Sequence, residues 1–88
     1  VKIFPEKDVI RRELMLLKVK ADEETRSQIV QIANIYRGNI LDVSPKSVVI
    51  ELTGDIEKLR GFVNMMENYG VLEMAKTGVL AMSRGEKM

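Results

Sequence analysis

The most constraining feature of this chain is a repeated punctuation of acid, apolar helix, glycine and apolar strand. Asp22 precedes a segment in which Ile29, Ile32, Ala33 and Tyr36 recur at the spacing of one helical face, and Gly38 follows it. Asp55 precedes a second such segment, with Ile56, Leu59, Val63 and Met66 as the stripe and Phe62 flanking it, and Gly70 follows. The acids sit where helix N-caps belong. Each glycine sits where a chain leaves a helix through the left-handed conformation, and an apolar strand follows each one. Val30 and Ile35 lie beside the first stripe and are expected to widen its buried side.

Four strands fall into place around these two helices. Glu13 to Ala21 alternates with Met15, Leu17, Val19 and Ala21 on one face, and Leu14 and Leu16 on the other, continued by Lys18 and Lys20. Ile40 to Val43 and Val48 to Thr53 read as strands joined by the turn Ser44-Pro45-Lys46-Ser47. In the second of these, Val48, Ile50 and Leu52 point inward. Val71 to Ser83 reads as a long last strand, bent at Thr77-Gly78 because glycine inside a strand marks a bulge. The order β-α-β-β-α-β is that of the ferredoxin-like fold: an α+β sandwich with a four-stranded antiparallel sheet and two helices on one face. Residues 12–85 form this domain. Residues 1–11, with Pro5 among Glu6, Lys7 and Asp8, read as a linker or arm from a preceding domain, and 86–88 as a tail. A start on Val1 fits a fragment of a longer chain.

The fold leaves one sheet face open. It carries Leu14, Leu16, Val49 and Glu51, together with either Leu72, Met74 and Leu80 or the Val71, Val79 and Ala81 set, according to how the last strand alternates. Leu14, Leu16, Val49, Glu51, Leu72, Met74 and Leu80 are the candidate interface, since exposed apolar surface of this kind marks contact with another surface. Cover by the arm residues Ile3, Phe4 and Val9 is the competing expectation.

Composition closes several other routes. The chain has no cysteine and no histidine, which removes disulfides, thiolate chemistry and the commonest general base and metal ligand. No catalytic, cofactor-binding or metal site is therefore expected; each acid reads as a cap or a solvated surface charge. A net charge of +1, with both signs scattered, gives no footprint for nucleic acid. The aromatics Phe4, Tyr36, Phe62 and Tyr69 all lie outside the strands, where an RNA-binding sheet would need them. Apolar runs fall far short of the ~20 residues needed to cross a bilayer, so no membrane partner is expected and a cytoplasmic location is the default. The loop Lys20-Ala21-Asp22-Glu23-Glu24 holds three acids and no glycine, unlike the ligand loop of amino-acid-binding ACT modules of the same topology.

The segments Glu13-Leu14-Met15-Leu16-Leu17-Lys18-Val19, Ile32-Ala33-Asn34-Ile35-Tyr36-Arg37 and Asp42-Val43-Ser44-Pro45-Lys46-Ser47 resemble the C-terminal domain of the acetolactate synthase small subunit. Glu51-Leu52-Thr53-Gly54-Asp55, Ala75-Lys76-Thr77-Gly78 and Ser83-Arg84-Gly85 extend the resemblance in the family's order. It implies a non-catalytic, regulatory domain that forms a homodimer and partners a large catalytic subunit using thiamine diphosphate, magnesium and FAD. Activation and feedback inhibition by valine would follow, with valine bound only by an N-terminal ACT domain that has no counterpart here. A free-standing ACT-like ligand-binding or adaptor module is the alternative.

Overall fold

The computed structural model describes residues 8–85. Its elements run β1 (Val9–Lys20), α1 (Arg26–Ile35), β2 (Asn39–Ser44), β3 (Ser47–Gly54), α2 (Ile56–Glu67), β4 (Val71–Lys76) and β5 (Leu80–Ser83). The sheet order is β2-β3-β1-β4, entirely antiparallel, and β5 pairs with the first part of β1. The βαββαβ expectation holds. The expected last strand is broken at residues 77–79, so the sheet has five strands instead of four.

That break lengthens the molecule. Val9 to Arg12 of β1 run beyond the end of β3 and pair only with β5, from Val9 opposite Ser83 to Arg12 opposite Leu80. The result is a two-stranded ribbon continuing the sheet, in a body 50 Å by 21 Å by 20 Å. Residues 9–11, expected in an arm, are thus part of the central strand. Ile3 and Phe4 lie outside the described residues. Val9 is buried on the alternation of Met15 and Leu17, so it does not cover the face of Leu14 and Leu16.

Both helices pack on the Met15–Leu17–Val19 face. Phe62, Met15, Leu17, Ile29, Ile50, Leu52 and Met66 are fully buried there. Burying each such side chain contributes about 1.5–3 kcal/mol. Phe62, expected at the flank, is at the centre and meets Tyr36 edge-on with ring centroids 5.2 Å apart. Ile56, at 48% exposed, and Ile35, at 77%, leave the core that periodicity assigned them. Each lies at an end of its helix.

The helix ends show how local chemistry sets the path. The Asp22 carboxylate accepts from the Glu24 and Thr25 amides and the Thr25 hydroxyl, while Thr25 Oγ1 accepts from the Asp22 amide. This reciprocal box orders residues 23–25 as a turn, and the helix proper begins at Arg26. Asp55 caps α2 directly, accepting from the Lys58 amide at 2.9 Å. At the other end of α1 the left-handed residue is Arg37, with a φ of 61°, and not Gly38. Gly70, with a φ of 117°, closes the end of α2 as expected.

Candidate functional site

The face of the sheet away from the helices is built by alternation from β1, β3 and β4. Leu14 pairs with Thr53, Leu16 with Glu51 and Lys18 with Val49 across β1 and β3. On the other side, Leu16 pairs with Ala75 and Lys18 with Glu73. Leu16 is 38% exposed; Leu14, Val49 and Glu51 are half-buried. Leu16, Val49 and Ala75, with the stem of Lys18, floor a shallow depression of about 180 Å³.

Polar pairs border that floor. Lys18 Nζ lies 3.2 Å from Glu73 Oε2, and Asn39 donates to Glu51 at 3.1 Å. The ion pair is exposed on both sides and contributes no more than about 1 kcal/mol. It links β1 to β4 beside Leu16.

The last strand distributes the remaining candidates differently from simple alternation. Pairing shifts register between Lys18 and Val19, so that Leu72 falls in the irregularity and Met74 comes opposite Leu17. Met74 is therefore in register with the helix-side residues, although 42% exposed, while Ala75 takes the place beside Leu16. Leu72 is 55% exposed. Leu80 stands opposite Arg12 in the ribbon, on the alternation of Leu14 and Leu16, and is 70% exposed. The seven candidates do not form one patch: Leu14, Leu16, Val49 and Glu51 share the open face, Leu80 extends it along the ribbon, Leu72 falls in the register irregularity, and Met74, in register with the helix side, borders depressions on both faces.

Two apolar residues of this extension escaped sequence reasoning. Ile10 and Met82 pair with each other on the same alternation, and both are exposed. The period-two signal was present in Ile10, Leu14 and Leu16, but Arg11-Arg12 interrupts it.

Chemistry of other kinds finds little support. Among the described residues no three His, Cys, Asp or Glu side chains gather to hold a metal ion. The Asp22 carboxyl is held below its ordinary 3.8, first by the Thr25 amide and then by the Thr25 hydroxyl. Among the described residues no helix is long and apolar enough to cross a membrane.

A ferredoxin-like α+β domain with an apolar sheet face framed by charge has the form of an interaction domain. Residues 12–85 match the family described as the small subunit of acetolactate synthase. A probable acetolactate synthase small subunit of Methanothermobacter thermautotrophicus is 48% identical over 79 residues, covering 89% of this chain and 47% of that protein. The acetolactate synthase small subunit of Mycolicibacterium smegmatis is 44% identical over 82 residues, covering 93% and 48%. A crystal structure of the small subunit from Thermotoga maritima superposes with a TM-score of 0.85 at 38% identity, covering 93% of this chain and 50% of that one. The chain belongs to the acetolactate synthase small-subunit family, and it spans about half the length of the curated relatives it matches.

Proposed function

We propose that this domain is a regulatory, non-catalytic part of acetolactate synthase, supporting activation and valine feedback control of a catalytic subunit in branched-chain amino acid biosynthesis. The reading rests on family membership together with one physical observation: Leu14, Leu16 and Val49 leave apolar surface unspent on the open face. Packing that face on a second copy fixes the relative pose of two regulatory chains. An effector bound elsewhere in the assembly then biases the pose, and a coupling of ~1–3 kcal/mol suffices for feedback control. Thiamine diphosphate, magnesium and FAD belong to the catalytic partner in this scheme, and no residue of this chain is assigned to them. Valine acts through an ACT domain outside these residues, and the assembly works in the cytoplasm.

Light scattering on Leu16→Glu tests the interface. The wild-type chain is expected to run as a dimer and the variant as a folded monomer; an unchanged mass in a folded variant removes the interface. Titration of the catalytic subunit with this chain tests the role, with a rise in acetolactate formation expected. Calorimetry with valine, leucine and isoleucine separates the alternative. Saturable binding by this chain alone would make it a ligand-binding module instead.

A further inference from the structure

The ribbon needs more support than this chain gives it. Val9–Arg12 pair with β5 alone, and β5 pairs with no other strand. Two strands by themselves are marginal in water unless a further surface packs on them. On the alternation of Leu14 and Leu16 the ribbon carries Ile10, Leu80 and Met82, all exposed, and one charge, the Arg12 guanidinium. Arg12 donates to the Arg11 carbonyl and forms no ion pair among the described residues. No acid lies in either strand of the ribbon.

The centre of the same face has the opposite character. Leu16, Val49 and Ala75 floor the shallow depression there, and Glu51 stands opposite Leu16, with Asp42 beyond Val49 toward the edge. Lys18 is already engaged by Glu73. Glu51 accepts from the Asn39 amide and forms no ion pair among the described residues. An apolar stretch with a cation thus lies about 13 Å along β1 from an apolar floor with an acid.

We propose that two copies pack these faces with β1 antiparallel to β1 and the two-fold axis crossing near Leu14, so that the ribbon of each lies on the sheet centre of the other and Arg12 pairs with Glu51 across the interface. This rests on the reading that the open face receives a second copy, and it adds the arrangement and the contact that selects it. With the axis at Leu14, Arg12 comes over Leu16, whose β3 neighbour is Glu51, and Leu80 over Ala75, the β4 neighbour of Leu16. Ile10 comes over Lys18, beside Val49. An axis at Leu16 would set Arg12 against Lys20, and parallel β1 strands would set Arg12 against its own copy. Both oppose like charges. Sheets packed face to face stay within about 30° of alignment, which keeps these neighbours within reach of long side chains. The two-fold makes every contact twice.

Sedimentation equilibrium on the whole chain tests the contact. Arg12→Glu and Glu51→Arg should each raise the dimer dissociation constant about tenfold or more, because each turns two attractive contacts into repulsive ones. Mixed in equal amounts, the two variants should form a heterodimer about tenfold tighter than either homodimer, since opposite charges then meet at both contacts. The chain carrying both substitutions should dimerise about as well as the wild type. Single variants as tightly dimeric as the wild type, or a mixture without preference for the heterodimer, would overturn the arrangement. If Leu16→Glu still dissociates that dimer, the open face remains the interface and the ribbon contact alone falls. A monomeric wild-type chain removes both.

Discussion

Arg37 and its neighbour Gly38 have exchanged the roles that their chemistry suggests. Arg37 holds the left-handed conformation, with a φ of 61°, while the Gly38 amide reaches back 2.8 Å to the Ala33 carbonyl and the Arg37 amide 3.0 Å to that of Asn34. This is the Schellman closure of α1 with arginine in the place glycine usually takes. Gly38 is required for space: a Cβ there would lie 3.1 Å from Ile50 Cγ2 and 3.2 Å from the Glu51 carbonyl oxygen.

Arg37→Gly is therefore expected to stabilise the chain by about 0.5–1 kcal/mol, relieving a left-handed residue that carries a Cβ. Gly38→Ala should destabilise by about 1–3 kcal/mol, because the β3 backbone cannot withdraw. Urea midpoints of the two variants should move in opposite directions; a stabilising Gly38→Ala would refute the crowding.

The Asp22 box gives a pH dependence with a defined sign. Hydrogen bonds from Thr25 hold the folded pKa below the ordinary 3.8, so the contribution to stability is complete above that value. It is lost as pH falls through the lower, folded value. Asp22→Asn should flatten this part of the acid limb while leaving neutral-pH stability little changed, as the asparagine side-chain oxygen can accept the same Glu24 and Thr25 amide bonds. Parallel acid limbs for the two proteins would count against the linkage.

Core and surface positions of the helices should respond in contrasting ways. Phe62→Ala opens a cavity at a fully buried site and removes the edge contact with Tyr36, an expected loss of about 3–5 kcal/mol. Ile35→Ser lies at a 77% exposed site and should stay within about 0.5 kcal/mol of the parent. Thermal melts of both decide whether the centre of the α2 stripe has been placed correctly.

Thr77 joins the two halves of the final strand pair to β1. Its amide donates to the Leu14 carbonyl at 3.0 Å, and its hydroxyl accepts from the Leu14 amide at 3.1 Å. Thr77→Ala should cost about 1 kcal/mol and speed hydrogen exchange at Leu14. Amides of Leu80 to Ser83 should exchange well before those of Val48 to Leu52, because the ribbon has little buried apolar surface behind it. Equal protection in the two strands would contradict the ribbon.

Much of the fold was legible because its signals are local. Met15, Leu17 and Val19 needed only period two, and Leu59 and Met66 only period 3.6, to reveal a core face. Asp55 needed only its place before a helix. The candidate face was legible in part: alternation found Leu14, Leu16, Val49 and Glu51, but no count along the last strand could foresee the register shift that turns Met74 toward the helix side. Ile10 was hidden because its strand partner Met82 lies at the other end of the chain.

By itself, then, the sequence determined the order of elements, the Asp55 cap of α2 and which residues of the central strands point inward, since propensity and periodicity act between near neighbours. Tertiary structure decided what depends on contacts between distant segments. Pairing with Leu80–Ser83 made Val9–Arg11 a strand. The close pass of β3 assigned Gly38 its space and left the left-handed turn to Arg37. The position of β1 beneath α2 left Glu13 only 8% exposed, an acid that its residue type alone had marked as a solvated surface charge. Each of these outcomes is a packing constraint, and packing is set only when the sheet has closed around its central strand.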